Sequence, residues 1–165
     1  MWIRAETVAD HDAIHRLTAA AFASAKHASG TEARIVDALR DAGALSLSLV
    51  ADIDGRVAGH VALSPVTLDD GSTGWYGLGP VAVDPRDQGR GVGSALIRAA
   101  LAELSALRAA GCVVLGDPAY YTRFGFRRHT SLRYPGAPAE YFMALSADAA
   151  FPSADVAYHP AFSVA

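Results

Sequence analysis

The residues with most chemical potential lie together, in the stretch Pro80-Val81-Ala82-Val83-Asp84-Pro85-Arg86-Asp87-Gln88-Gly89-Arg90-Gly91-Val92-Gly93-Ser94. An apolar strand runs into a turn with glycines at 89, 91 and 93, and a helix begins there. Missing side chains let a ligand approach the backbone, and the free amides of a first helical turn favour an anion, phosphate above all. Two common phosphate motifs do not fit. A Walker loop needs Gly-Lys before its Ser or Thr, whereas Val92-Gly93 precedes Ser94. A dinucleotide fingerprint starting at Gly91 needs a small residue where Leu96 stands, and no βαβ unit precedes it. A glycine-rich turn that holds nothing is the plain alternative.

Other reactive side chains are scattered. His11 and His15 lie four apart on one helix, the spacing of a metal pair, but no third ligand stands near them and a solvated pair is the simpler reading. Cys112 opens a strand with no partner base in view, which makes it a core residue rather than a nucleophile.

The elements that must position these groups follow from periodicity and turn residues. A strand over 2–6 leads to Thr7 and Asp10, a capping-box start for a helix whose inner stripe is Ile14, Leu17, Ala21 and Phe22. A second helix over 31–42 buries Ile35, Val36 and Leu39 and ends at Gly43. Strands over 45–52 and 56–68 join through Asp54-Gly55, a hairpin dipeptide. After the turn at 69–72 comes a strand over 75–83, then the polar loop 84–90. A long helix over 91–110 buries Val92, Leu96, Ala100, Leu104 and Leu107 and stops at Gly111. Residues 113–115, apolar without alternation, form a central strand. Pro118 begins a short helix through Phe124. Residues 126–134 and 140–145 are expected to pair across Pro135-Gly136-Ala137-Pro138. The tail from Asp148 carries Phe151, Val156, Tyr158 and Phe162 and should dock on the domain. The expected organisation is one domain over 1–147 with a docked tail over 148–165.

Composition narrows the partners. The 165 residues suffice for one domain, and 52% hydrophobic with 19% charged residues describes a folded chain. A formal charge of −3, with Lys26 the only lysine and no basic run, leaves no footprint for nucleic acid or an anionic membrane. No apolar run approaches the roughly 18 residues of a membrane helix, and no charged-then-apolar signal opens the chain. A single cysteine excludes a disulfide framework and fits a reducing cytoplasm.

Gln88-x-x-Gly91-x-Gly93 after a strand resembles the acetyl-CoA pyrophosphate motif, Arg/Gln-x-x-Gly-x-Gly/Ala, of the GNAT superfamily of N-acetyltransferases. Ile3-Arg4 before a capped helix, the β-α-α-β-β-β order, the long helix and Tyr121-x-x-x-Gly125-Phe126 fall where that family places them. Ser48-Leu49-Val50-Ala51, Gly59-His60, Ser64-Pro65-Val66 and Gly116-Asp117-Pro118-Ala119-Tyr120-Tyr121 are similar to a bacterial subgroup of predicted acetyltransferases. The resemblance implies an α/β (α+β) fold of one domain. A mixed, mostly antiparallel central sheet of about seven strands would be flanked by about four helices.

It also implies roles for residues. Backbone amides of Gln88, Gly89, Arg90, Gly91, Val92, Gly93 and Ser94 would hold the pyrophosphate of acetyl-CoA. The pantetheine arm would run beside Val81, Ala82 and Val83, a backbone N–H near Val81 polarising the thioester carbonyl. Gly79-Pro80 fits the strand disruption that would admit the arm. Asp117, Tyr120 and Phe124 would complete the cofactor site, with Arg86 and Arg90 flanking the phosphates and Arg123, Arg127 and Arg128 near the 3′-phosphate. Tyr121 stands at the family's proton-donor position; the plainer reading, an aromatic core residue closing the short helix, stays open. For a general base, His60, Glu32 and Asp117 are candidates, and a chain of waters is another; a packed histidine is the plainer reading of His60. The implied reaction moves acetyl from acetyl-CoA directly to a primary amine, without a metal. The acceptor is expected to be a small molecule, against the alternatives of a protein amino group or a sensor that binds acyl-CoA without turnover. Its specificity is expected to reside in the first two helices and the region of the last strand pair, residues 126–145. A monomer or homodimer is expected.

Overall fold

The computed structural model describes residues 1–26 and 28–164; Ala165, the end of the expected tail, lies outside them. The strands are β1 (Trp2–Ala5), β2 (Leu47–Ile53), β3 (Arg56–Pro65), β4 (Thr67–Leu68), β5 (Trp75–Val83), β6 (Gly111–Leu115), β7 (Leu132–Arg133), β8 (Phe142–Ser146) and β9 (Ala154–Ala157). The helices are α1 (His11–Phe22), α2 (Glu32–Asp41), α3 (Val92–Ala106) and the single turn α4 (Pro118–Tyr121), with short 3-10 turns between them. Six strands form the main sheet in the order β1-β2-β3-β5-β6-β8, and β4-β9-β7 form a small second one. In the main sheet only β5 and β6 run parallel.

Strand alternation assigns the two faces of the sheet. A Cβ on Gly59 would press against Leu96 and Val92 of α3, so Gly59 and its neighbours Val61 and Leu63 face that helix. Val50 and His60 face the other way, where Val50 packs with Ile14 of α1 and Val36 of α2. Asp54 and Gly55 both take positive φ, which the tight β2–β3 hairpin requires. The start of the chain is clamped by Asp10, whose carboxylate accepts from Thr7 N and Oγ1 and pairs with Arg4 at 2.7 Å.

Four expectations change. Helix α3 ends at Ala106, not near 110, because Arg108 adopts a left-handed conformation. Its N–H then donates to Ser105 and that of Ala109 to Leu104, closing a Schellman motif. Leu107 is therefore 58% exposed instead of buried. The strand expected over 56–68 breaks after Pro65, and Thr67–Leu68 turns away to pair with β9. The expected strand pair 126–134 with 140–145 reduces to one bridge, Arg127 with Ala144. A turn closes at Leu132 N to His129 O, and β7 then pairs in parallel with β9 while β8 adds to β6. The C-terminal segment thus supplies the middle strand of the second sheet, with Ala154 and Val156 buried against Trp75, Val113 and Phe142.

Candidate active site

The sheet opens where the glycine-rich turn begins. Strands β5 and β6 pair from Trp75–Gly111 to Leu78–Val114 and then part. Beyond Leu78, β5 stays bonded to β3 alone, and Leu115 at the end of β6 pairs with Phe142 of β8. An irregularity marks the parting. Val61 and Leu63 of β3 oppose Val81 and Leu78, so β5 carries one extra residue at Gly79-Pro80. Gly79 has a φ of 127°, outside the range of most side chains. The sequence reading placed the disruption at these two residues.

From Val83 the chain enters a turn held by ion pairs. The Asp84 carboxylate caps the 3-10 turn by accepting from Arg86 N at 2.9 Å and also pairs with the Arg86 guanidinium, which holds its carboxyl down to about 2. Asp87 is buried and receives two hydrogen bonds from Arg56, at 2.8 and 3.3 Å. Gln88 donates to Val83 O at 3.2 Å, folding its side chain back under the loop. Gly89 and Gly91 then take φ of 76° and 82°, and a Cβ on either would meet nothing within 4 Å. Gly91 is the N-cap of α3, which has no side-chain cap, and the amides that open the helix stand above an open cradle. Gly89, Arg90 and Gly91 are exposed, whereas the Val92 side chain is core and can offer only its backbone. Arg90 has no carboxylate partner among the described residues. Arg86 is committed to Asp84, and Arg127 donates to Thr122 O and Phe126 O. Arg123 lies over the Tyr120 ring at 4.6 Å and donates to Tyr120 O.

On the β6 side, Asp117 caps α4, accepting from Ala119 N at 2.9 Å. Its exposed carboxylate is committed to that cap and does not line the main cleft, which removes the geometric case for Asp117 as a base there. Tyr120 and Tyr121 leave α4 in different directions. The Tyr120 hydroxyl lies 3.4 Å from Ser94 Oγ, over the first turn of α3. Tyr121 lines the cleft between the parted strands, wedged against Gly116, where a Cβ would overlap its ring. Edge-on contacts with Tyr120 and Phe126 fix its plane. Burial, with a smaller contribution from Tyr120, pushes the Tyr121 phenol up to about 12. Phe124 is buried in the core against Tyr120 and beneath Arg98, where it supports the tyrosines.

The cleft encloses about 400 Å³. Leu78, Gly79, Pro80, Val81, Leu115 and Tyr121 line it from the parted strands and α4. The rest of its lining comes from Phe22, Ser29, Glu32, Ile35 and three aromatic residues from later in the chain, Tyr134, Tyr158 and Phe162. The tail is therefore a wall of the cleft, which the sequence reading missed. Its aromatic run was visible, but nothing local says that Tyr158 lies across Gly77, where a Cβ would come within 2.6 Å of its ring.

The two remaining base candidates separate. His60 is 0% exposed and does not line the cleft. Its Nε2 lies 2.8 Å from Ser48 Oγ and its Nδ1 has no partner among the described residues. Burial, and secondarily the charge of Arg40, push the imidazole down to about 3. That makes His60 a neutral core histidine, a correction to its candidacy. Glu32 does reach the cleft. Burial raises its carboxyl, but hydrogen bonds from Ser29 N, Ser29 Oγ and Gly30 N outweigh this and hold it below the usual range. Ser29 and Glu32, three residues apart, thus close the turn that leads into α2, a local contact the sequence reading overlooked.

Among the described residues no group of three or more His, Cys, Asp or Glu could hold a metal ion, and no helix is long and apolar enough to cross a membrane. His11 pairs with Glu6 and His15 with Asp37.

Comparison with known proteins agrees with this geometry. Residues 44–128 match the profile of the acetyltransferase (GNAT) domain. The chain is 38% identical to the uncharacterised N-acetyltransferase YhbS of Escherichia coli strain K12, over 99% of both sequences. Its fold superposes on a GNAT family acetyltransferase from Brucella melitensis in complex with acetyl-CoA, with a TM-score of 0.87 and 48% identity over 98% of this chain and 97% of that one. The crystal structure of YhbS from Escherichia coli in complex with CoA gives 0.88 and 37%, over 99% and 92%. A splayed β5–β6 pair, a glycine cradle at the start of α3 and a full-length match to such proteins carry one conclusion: the chain belongs to the GNAT family of acetyltransferases.

Proposed function

We propose that this protein transfers acetyl from acetyl-CoA to a primary amine of a small molecule, both substrates being bound together. The observation that carries the reading is the parting of β5 and β6. It opens a passage with a free strand edge on one side and Tyr121 on the other, and the same strand leads on through the glycine turn to α3. The structures of relatives with acetyl-CoA or CoA bound support the same assignment. In this reading the amides from Gly89 to Ser94 receive the pyrophosphate, Arg90 adds charge, and the edge of Val81–Val83 receives the pantetheine arm. The domain over 1–147 does the chemistry and residues 148–165 close its cleft. It works as a monomer or homodimer in the cytoplasm, where its one free thiol, Cys112, stays reduced.

The amine nitrogen attacks the thioester carbonyl, polarised by a backbone N–H near Val81. The N–C bond forms, the C–S bond breaks, Tyr121 gives its phenolic proton to the departing sulfur, and the proton lost from nitrogen passes to water. A phenol at about 12 is fully protonated at neutral pH and so holds that proton until it is needed. A thiolate is destabilised by the same apolar surroundings that raise the phenol, which keeps the two acidities close enough for transfer. His60 is sealed away and Glu32 is too acidic to take protons from an ammonium, so deprotonation falls to water.

The test is release of thiol from acetyl-CoA across a panel of amines, with intact-mass detection of product and enzyme. Intersecting initial-velocity lines and an unmodified enzyme are expected. Parallel lines with an acetylated enzyme would overturn the ternary complex. Tight acetyl-CoA binding without thiol release from any amine would make the protein a sensor, and release with peptides alone would move the acceptor to protein.

A further inference from the structure

The side chains lining the cleft beyond the parted strands have a chemistry of their own. Phe22, Ile35, Tyr134, Tyr158 and Phe162 are among them. The last three make a continuous aromatic wall, with ring centroids 5.1 Å apart between Tyr134 and Tyr158 and 5.0 Å between Tyr158 and Phe162. Glu32 is the only charged side chain lining the cleft among the described residues. Hydrogen bonds from Ser29 N, Ser29 Oγ and Gly30 N fix the orientation of its carboxylate and keep it ionised. No cation pairs with it among the described residues, so a half-buried negative charge stands beside aromatic faces, and both attract a cation.

We infer that the acceptor is a compact monoamine with an aromatic or apolar body, its ammonium received by Glu32 and its body by Phe22, Ile35, Tyr134 and Phe162. The inference rests on the amine-acetylation reading and narrows it. A free α-carboxylate beside the amine would meet Glu32 as a like charge, which disfavours amino acids. A polyamine brings further cations for which the cleft holds no second carboxylate. Asp117 lines the adjoining cavity together with Lys26, which cancels its charge there, and it is already tied to the α4 cap. Glu32 is thus a specificity-determining residue: it binds and orients the ammonium, which must still lose its proton to water before attack.

The experiment compares 2-phenylethylamine, phenylalanine and spermidine as acceptors for the wild-type enzyme and for Glu32→Gln. For the wild type, kcat/KM should favour 2-phenylethylamine over both others by at least about tenfold, the low end for one charge-assisted contact. In Glu32→Gln the KM for 2-phenylethylamine should rise by about 10–100-fold with kcat little changed. Phenylalanine should lose less or improve, because the repulsion is gone. A purely structural role for Glu32 in closing the turn before α2 would lower activity toward all three alike and leave their ratio unmoved. Equal or better turnover of spermidine or phenylalanine by the wild type overturns the inference, and this comparison does not depend on the variant folding. Thiol release with other amines but not with 2-phenylethylamine overturns it while leaving amine acetylation standing. No release with any amine overturns the parent reading instead.

Discussion

Tyr120 and Ser94 stand 3.4 Å apart, hydroxyl to hydroxyl, and this contact ties the single turn of α4 to the first turn of α3. The approach needs Gly93, where even a Cβ would lie 3.2 Å from the Tyr120 hydroxyl. Because Tyr120 is anchored on α3, its neighbour Tyr121 is turned about a third of the way round α4 and points into the cleft. Two adjacent tyrosines therefore face different surroundings, Tyr120 the first turn of α3 and Tyr121 the cleft. Gly116 sets the second of them, since any side chain there would displace the Tyr121 ring.

The cradle can be tested at Gly91. Its φ of 82° is strained for a side chain, so Gly91→Asn and Gly91→Asp should each cost about 1 kcal/mol of stability while keeping the fold. The two side chains are nearly the same shape and project into open space. Only the aspartate repels a pyrophosphate. Calorimetric titration should show acetyl-CoA affinity falling at least about tenfold further in Gly91→Asp than in Gly91→Asn. Equal affinities in the two variants and the wild type would place the phosphates elsewhere.

His60 gives a prediction about acid stability. Its imidazole binds a proton near 6.5 when unfolded but only near 3 in the folded protein. Between those values the unfolded state carries the extra proton, so stability falls as pH drops below about 6.5, by roughly 1.4 kcal/mol per unit for this group. Gln at position 60 can keep a hydrogen bond to Ser48 but cannot titrate. From pH 7.5 to pH 5, chemical unfolding should show the wild type losing roughly 2 kcal/mol more than His60→Gln. The acid limb of kcat/KM should be the same in both. A shifted limb would restore His60 to the catalytic scheme.

What could be read from sequence alone divides by distance along the chain. The glycine turn and the Asp54-Gly55 hairpin were legible because each is fixed by neighbours a few residues away. The Gly79-Pro80 irregularity was legible for the same reason, since both residues disrupt a ladder wherever they occur. Arg56 with Asp87 was not, because the partners are 31 residues apart and both look like ordinary surface charges in the sequence. The cleft wall of Tyr158 and Phe162 was hidden likewise: it depends on β9 inserting between β4 and β7, a pairing no periodicity announces. The end of α3 was misread because a closing motif that favours glycine is made by Arg108. His60 was left between a packed residue and a base, because alternation locates a residue on a face but not how deeply that face is covered.

The sharpest test of the chemistry is Tyr121→Phe. The change removes one oxygen and keeps the ring that packs on Gly116, Tyr120 and Phe126, so the wall of the cleft survives. With the proton donor gone, kcat at saturating acetyl-CoA should fall by about 10²-fold or more, while the dissociation constant for acetyl-CoA stays near that of the wild type. Tyr120→Phe should do the reverse, weakening acetyl-CoA through the lost contact at Ser94 with kcat largely kept. Because the Tyr121 phenol holds its proton up to about 12, the wild-type kcat should show no alkaline decline from this group below about pH 10. A thioester whose thiol is more acidic needs less help in leaving, so the Tyr121→Phe defect should shrink with such a substrate. Equal kcat values for wild type and Tyr121→Phe would remove Tyr121 from the proton transfer. A matched loss of acetyl-CoA affinity would make it part of the binding wall instead.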